Sequence, residues 1–360
     1  MSAHLKALPQ NAAIGILGGG QLGRMLAISA ASLGYKTIAL DPDPEAPARQ
    51  VCNEHICARY DDQSALTTLA NRCAAVTYEF ENVPVETART LAEATKLFPP
   101  AKALEIAQDR LIEKNFLTSL GLAVAPFHAV DTAIDLRAAL DDFGDGVLKT
   151  RRFGYDGKGQ AVISADTCHD PAAILQNTGQ GPYVLEALIP FNFEFSIIGA
   201  RGQSGEIALY DPARNVHENG ILRRSTVPAG LSSTLEEKAR AAVAKLLDGL
   251  AYVGVLGVEF FAVADNETPL INEFAPRVHN SGHWTDTACI TSQFEQHMRA
   301  VCGLPLGATK TLAPCEMHNL LGDEIDTLPA ILENGGAHAV SYGKMEARAG
   351  RKMGHFTVLK

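Results

Sequence analysis

Positive charge is what this chain is short of: 31 lysines and arginines stand against 41 aspartates and glutamates, a net charge of −10 over 360 residues. A surface of that sign repels a polyphosphate backbone, which argues against sequence-tolerant nucleic-acid binding and requires any anionic substrate to be met by cations gathered locally. Long apolar runs are missing as well. No uninterrupted stretch reaches the length that crosses a bilayer, and residues 1–10 hold no apolar signal segment, so a cytoplasmic protein with no membrane partner is expected. The seven cysteines are scattered, and Cys52 and Cys57 miss the C-x-x-C spacing. Neither a zinc knuckle nor a disulfide framework is signalled, and buried, inert thiols are the expectation.

What is present is ordinary for a globular enzyme, with 46% apolar and 20% charged residues. The length exceeds a usual single core, so two or three domains with a cleft between them are expected. The most informative stretch is Leu270-Ile271-Asn272-Glu273-Phe274-Ala275-Pro276-Arg277-Val278-His279-Asn280-Ser281-Gly282-His283-Trp284. An apolar run ends there in a dense set of polar side chains, as a buried strand does when it opens into an active site. Just upstream, Val255-Leu256-Gly257-Val258-Glu259-Phe260-Phe261 places a second acid inside an apolar run. One strand acid is more often an edge or solvent-facing residue. Two on neighbouring strands, Glu259 and Glu273, predict a divalent cation between them, because a buried carboxylate is costly unless paired or metal-bound.

Near the start, the strand 14–17 runs into Gly18-Gly19-Gly20-Gln21-Leu22-Gly23 and an amphipathic helix to about residue 33. The next strand, 37–40, ends at Asp41, about where a ribose-binding acid sits in a dinucleotide fold. Taken alone, this motif points to a dinucleotide-dependent oxidoreductase, although the same glycines also serve close packing or another phosphate. A strand at 75–78 leads to Glu79 and Glu81, which are either solvated loop residues or substrate contacts. A helix over 85–94 and a strand around Leu97 and Phe98 complete a βαβ-type domain ending near Pro100.

Residues 101–120 read as one helix with Asp109, Arg110, Glu113 and Lys114 on its polar face. A short strand then ends on Lys149, and Arg151-Arg152-Phe153-Gly154-Tyr155-Asp156-Gly157-Lys158-Gly159-Gln160 follows before another strand. Strands on both sides exclude a Walker A loop. Glycines that let a backbone close over phosphates, with Lys149 and Lys158 to neutralise them, predict a nucleotide-covering loop, the alternative being a hairpin with a solvated basic tip. Beyond it, Glu186 and the extended Ala187, Leu188 and Ile189 are candidates for an adenine and ribose hinge. Glu194 lies on a strand of alternating pattern. His217 lies in a loop at 215–222, and a long helix starts at a Thr234 cap. Lys344, Arg351 and Lys352 are cations clustered near the C-terminus of an acidic chain, suited to a substrate phosphate.

These segments together resemble the ATP-grasp enzymes, and most closely the N5-carboxyaminoimidazole ribonucleotide synthetases. The resemblance covers nearly the whole chain and rests on the 18–26, 154–160 and 272–284 motifs in that order. It implies an α/β protein, α+β in its ATP-grasp part. The implied division is an N-terminal Rossmann-like substrate domain (1–104), a helical linker with a small lid domain (105–190), and a large domain with a C-terminal phosphate-binding portion (191–360). For ATP it implies Arg110, Lys149, Gly154, Tyr155, Asp156, Gly157, Lys158, Gly159, Gln160, Glu186, Ala187, Leu188, Ile189, Glu194, His217, Asn272 and Glu273. The magnesium ligands would be Glu259 and Glu273. Gln21, Leu22, Glu79, Tyr155, Lys158 and Asn280 would meet 5-aminoimidazole ribonucleotide, with Lys344, Arg351 and Lys352 on its 5′-phosphate.

The implied reaction is phosphorylation of bicarbonate by ATP, followed by carboxyl transfer to the ribonucleotide amine. Arg277, His279, Asn280 and His283 would hold the bicarbonate-derived anion, and Lys149 would assist phosphoryl transfer. A homodimer is implied too. Two departures bear on the loop: Lys158 stands where some relatives carry arginine, so a bidentate grip is lost, and 150–153 varies among relatives. The rivals are a sister ligase such as the formate-dependent glycinamide ribonucleotide transformylase, and the oxidoreductase.

Overall fold

The computed structural model of the chain describes residues 7–154, 158–263, 267–333 and 335–360, and within them three sheets. The first joins Ala13–Leu17 (β1), Lys36–Asp41 (β2), Glu54–Cys57 (β3) and Ala75–Tyr78 (β4) in parallel, in the order β3-β2-β1-β4. Parallel pairing needs crossovers, supplied by Gln21–Ser32 (α1) and Gln63–Arg72 (α2), and Val85–Ala94 (α3) follows β4. Strand order reverses between β1 and β4, so the crevice beyond their carboxyl ends is where a doubly wound sheet takes a ligand. β3 and α2 lie outside the sequence expectations because Glu-His-Ile-Cys carries no apolar run. Leu97 makes only a single bridge to Val76 and is not part of a strand.

Two helices, Ala101–Ala107 (α4) and Arg110–Ser119 (α5), replace the single one expected over 101–120. The break is local. Asp109 adopts extended geometry, and its carboxylate accepts the amides of Leu111 and Ile112, so a new helix starts with Arg110 in its first position.

The second sheet is antiparallel, with Phe127–Val130 (β5), Gly146–Thr150 (β6), Gln160–Ile163 (β7) and Tyr183–Ala187 (β8) in the order β5-β8-β6-β7. Ala133–Phe143 (α6) and Pro171–Thr178 (α7) close a separate core around Leu136, Leu140, Leu148 and Leu185.

The third sheet has nine strands: Phe191–Arg201 (β9), Ile207–Leu209 (β10), Ala213–Glu218 (β11), Ile221–Val227 (β12), Gly254–Val263 (β13), Pro269–Ala275 (β14), Cys315–Leu321 (β15), Ala337–Ser341 (β16) and Lys352–Leu359 (β17). Their order is β14-β13-β9-β11-β12-β15-β17-β16, with β10 added on β9. Residues 215–222 form the β11/β12 hairpin and not a loop, which fixes His217 on a strand. Ser233–Gly249 (α8) is capped by Ser232, whose hydroxyl accepts the Leu235 amide, two residues before the expected Thr234.

Thr285–Ala288 (α9) and Gln293–Cys302 (α10) complete this layer. Ile14, Met25 and Leu26 of the first unit share a core with Val255, Phe294, Met298 and Tyr342. His297 on α10 reinforces that join: the Val255 amide donates to its Nδ1 at 3.1 Å, which leaves the ring proton on Nε2, 2.7 Å from Thr77 Oγ1. The first and third layers are therefore one apolar body, and the second sheet meets them across a polar seam. Among the described residues no helix is long and apolar enough to cross a membrane. Five cysteines are buried; Cys57, on edge strand β3, is exposed, which corrects the expectation of burial there.

Candidate active site

The glycine turn shows why its dinucleotide appearance misleads. The Gly19 amide donates to Asp41 Oδ2 at 2.6 Å, and the Gly20 and Gly23 amides donate to Glu79 Oε1 and Oε2 at 2.9 and 3.2 Å. Tyr60 donates its hydroxyl to the same Asp41 oxygen. The amides that would cradle a pyrophosphate are thus occupied by the chain's own carboxylates, and the oxidoreductase reading falls. Gly18 has φ +97°, and a Cβ there would lie 2.6 Å from Glu79 Cγ. Gly18→Ala is expected to cost about 1–3 kcal/mol in urea unfolding; an unchanged midpoint would refute this account of the turn. Burial pushes the Glu79 carboxyl up to about 7 against the pull of the Gly20 amide and Arg277.

Facing this turn, Lys344 Nζ donates to Gln21 Oε1 and to the Lys352 carbonyl, both at 2.5 Å, joining the C-terminal segment to α1. Arg351, at the mouth of β17, donates to the Glu346 carbonyl. Leu22 departs from expectation: its side chain lies in the shared core, which leaves only main-chain groups for a substrate.

The acid pair is the centre of the second half of the site. Glu259 on β13 and Glu273 on β14 are directly opposed in register, and an irregularity follows at once. Burial and the neighbouring Glu273 charge raise the Glu259 carboxyl above its ordinary range. Burial acts on Glu273 the same way but is outweighed by Arg110, whose Nη1 lies 2.6 Å from Oε2, so that carboxyl is held low. Two opposed carboxylates, one under electrostatic pressure, fit Mg²⁺, which takes one or two such ligands and completes its shell with phosphate and water.

Arg110 Nη2 also donates to the Gly154 carbonyl at 3.3 Å, and Asp109 holds Arg151 by two bonds at 2.8 and 2.9 Å. Both therefore tie α5 to the start of the glycine loop. Gly159, at φ +69°, lies against Thr150, and Gln160 opposes Lys149 on β7 and β6. Lys158 is exposed. Tyr155, Asp156 and Gly157 lie outside the described residues.

Beneath the loop, Lys149 Nζ stands 3.0 Å from Glu186 Oε1 and 3.5 Å from Asn272 Oδ1. Burial lowers the Lys149 pKa, an effect that Glu186 partly opposes. Lys114 approaches the other oxygen of Glu186 at 3.0 Å. Glu186 would rise on burial, but Lys149 and Lys114 hold it low. The hinge is less open than expected, because the Ala187 and Leu188 amides already donate to the Pro126 and Asp145 carbonyls. On the neighbouring strands Glu194 and His217 are hydrogen-bonded. Burial alone would lower His217; the bond to Glu194 and the Glu259 charge raise it.

After β14 the polar run separates by role. Arg277 grips Glu81 through two bonds, Nη2 to Oε1 at 2.9 Å and Nε to Oε2. Glu81 was open between solvent and substrate in the sequence; it is a bridge between layers. Burial works to raise its carboxyl, and Arg277 brings it below the usual range. The Ser281 amide donates to His279 Nδ1, so Nε2 carries the proton and faces Glu259 Oε1 at 3.4 Å. Burial, then Arg277 and Lys352, push His279 down to about 3, a neutral ring at neutral pH. A Cβ on Gly257 would lie 2.6 Å from His279 Cβ, so that glycine admits the ring.

Asn280 is paired with Asn319 by two amide bonds of 2.9 and 2.8 Å, which limits what it offers a substrate. His283 is corrected: it is fully buried against Phe294, Tyr342 and His355, with Nδ1 accepting from Gln293, and does not face the acid pair. Gln293, which also accepts the His279 amide, carried no signal in the sequence.

Three family models match in order: the ribonucleotide synthetase preATP-grasp domain over residues 11–108, the ATP-grasp domain over 115–294, and the phosphoribosylaminoimidazole carboxylase C-terminal domain over 315–360. The chain is 53% identical over 359 residues to the N5-carboxyaminoimidazole ribonucleotide synthase of Brucella melitensis, covering 98% of each. An ADP complex of N5-carboxyaminoimidazole ribonucleotide synthetase, 42% identical, superposes with a TM-score of 0.94 over 99% of this chain and 94% of that one. The Aspergillus clavatus synthase in complex with ADP and 5-aminoimidazole ribonucleotide, 29% identical, superposes with a TM-score of 0.90 over 98% and 94%.

Proposed function

The chain belongs to the N5-carboxyaminoimidazole ribonucleotide synthase family of ATP-grasp ligases, and on that premise we propose how its site divides the work. It carboxylates 5-aminoimidazole ribonucleotide in an ATP-dependent step of purine biosynthesis. The nucleotide lies between β6 and β8 of the small sheet and β13/β14, its base toward 186–189 and its phosphates toward Lys149, Arg110 and the glycine loop. Glu259 and Glu273 would hold Mg²⁺, which would supply charge neutralisation to the phosphate oxygens. The ribonucleotide occupies the crevice at the β1 and β4 ends, against Gln21 and Glu79, with Lys344, Arg351 and Lys352 on its phosphate.

Bicarbonate sits between the two, against Arg277, His279 and Asn280. One of its oxygens attacks the γ-phosphorus while the bond to the β-phosphate oxygen of ADP breaks, giving carboxyphosphate. The amine lone pair then forms a bond to the carboxyl carbon, directly or after release of carbon dioxide; phosphate leaves and the nitrogen loses a proton. Phosphoryl transfer needs positioning and charge neutralisation more than a covalent nucleophile, which is what this site offers. The glycine loop excludes water from carboxyphosphate.

The observation that carries this reading is the opposed Glu259 and Glu273 pair, with Arg110 bound on one side and neutral His279 on the other. ADP release is expected to depend on bicarbonate and on 5-aminoimidazole ribonucleotide. Release only with formate and glycinamide ribonucleotide would overturn it. The working domains are 1–104, 105–190 and 191–360, supported by the separate core of the small sheet. The proposal includes a cytoplasmic homodimer; sedimentation at the 38.4 kDa mass of one chain would refute the dimer.

A further inference from the structure

Helix α5 reaches β14 with more than Arg110. Glu113 Oε1 accepts the Phe274 amide at 2.7 Å. Lys114 Nζ donates to the Asn272 carbonyl at 3.2 Å while pairing with Glu186. Both side chains are almost wholly buried, at 2% and 1% exposure.

Their targets explain the arrangement. β14 is the edge of its sheet, so the outward main-chain groups of the strand that carries Glu273 have no neighbouring strand. The chain supplies substitutes: the Ala123 carbonyl for the Ile271 amide, Lys114 for the Asn272 carbonyl, and Glu113 for the Phe274 amide. Opposite, Glu259 pairs with Glu273 but Phe260 pairs with Ile271, which leaves Asn272 as the additional residue of a bulge. A bulge re-aims the side chains at and beside it, and the additional residue itself has no partner on β13. The two α5 bonds fall on either side of Glu273 and fix it. Apolar residues would fill the same volume without the cost of burying a carboxyl and an ammonium group, but could not bind main-chain groups.

We propose that Glu113 and Lys114 are positioning residues: they lock the Asn272 bulge so that Glu273 meets the nucleotide-bound cation, and Lys114 also sets the spacing between that strand and the Glu186 end of the hinge. This rests on the assignment of Asn272 and Glu273 to the nucleotide and its metal.

The test uses the full chain carrying Glu113→Leu, Glu113→Gln or Lys114→Met, with steady-state kinetics in each substrate and in Mg²⁺. Glu113→Leu and Lys114→Met are expected to raise the half-activating Mg²⁺ concentration and the KM for ATP by about 10–100-fold, the range for residues that orient metal ligands. The KM for 5-aminoimidazole ribonucleotide should stay within about twofold. Glu113→Gln keeps an oxygen that can accept the Phe274 amide and should stay near the parent, which also covers the case in which Glu113→Leu fails to fold. Unchanged Mg²⁺ and ATP dependence in Lys114→Met, equal weakening for every substrate, or a Glu113→Gln enzyme as impaired as Glu113→Leu would overturn the proposal. A Glu273→Gln enzyme with full activity would instead remove the assignment it rests on, so the two failures are distinguishable.

Discussion

Glu273→Gln will lower kcat for ADP formation by about 10²–10³-fold, the loss that follows removal of one preorganised electrostatic group from a transition state, and the chain will still fold. Glutamine keeps the volume and one oxygen but removes the charge that makes the carboxylate a ligand for a hard cation. Two changes in the metal-free protein act in opposite directions. Arg110 loses its 2.6 Å partner, yet keeps the Gly154 carbonyl. Glu259 loses the like charge that helps raise its pKa, which relieves the pair. The Glu273 side chain is 40% exposed, so water reaches the site of the substitution. A coupled ADP assay and a urea titration on the same preparation decide it: parental turnover would remove the metal role, and an unfolded chain would show that the residue is structural.

The parts legible in the sequence were those whose signal is local. β1, β2 and β4 are apolar runs that end in a glycine or an acid, β13 and β14 are apolar runs as well, and the two strand acids were visible because each interrupts such a run. That they oppose each other in register depends on hairpin geometry, which one strand does not encode. Partner choice over long separations was not readable. Glu81 and Arg277 are 196 residues apart and Asn280 and Asn319 are 39 apart, and each side chain alone resembles a loop residue. His283 failed for a related reason. It follows an exposed-looking polar run, but the short helical turn Asn280–Gly282 rotates it inward onto α10. The glycine turn did carry a neglected clue, since β2 and β4 both run directly into an acid, Asp41 and Glu79, and those two acids fill its amides.

In metal-free protein, the urea midpoint will fall gently between about pH 6.5 and 4.5 and then steeply below 4.5. Four buried histidines act in one direction. Burial lowers His279, His297 and His355 to about 3 and lowers His283 as well. A histidine whose folded pKa lies below its unfolded one stabilises fully above about 6.5 and loses that contribution as pH falls toward the folded value. For His297 the cause is explicit, because a proton on Nδ1 would break the bond from the Val255 amide.

Three carboxyls oppose them. Burial raises Glu79 to about 7 and Glu113 to about 8, and Glu259 is raised in the same direction. A raised carboxyl weakens the fold above its folded pKa and ceases to do so as pH falls from there to its unfolded 4.5. Each group contributes about 1.4 kcal/mol per pH unit inside its window, so four against three leave a net loss of only about 1.4 kcal/mol per pH unit. Below 4.5 the opposition ends, and Glu81, Asp109, Glu186 and Glu273, all held low by cationic partners, begin to lose stability alongside the histidines. Several kcal/mol per pH unit then act on a fold whose total stability is of order 5–15 kcal/mol. Glu79→Gln should roughly double that gentle slope from pH 6.5 by removing one opposing carboxyl. A decline from 6.5 as steep as that below 4.5 in the parent would show the histidines unopposed, and a midpoint unchanged to pH 3 would show that they are not held neutral.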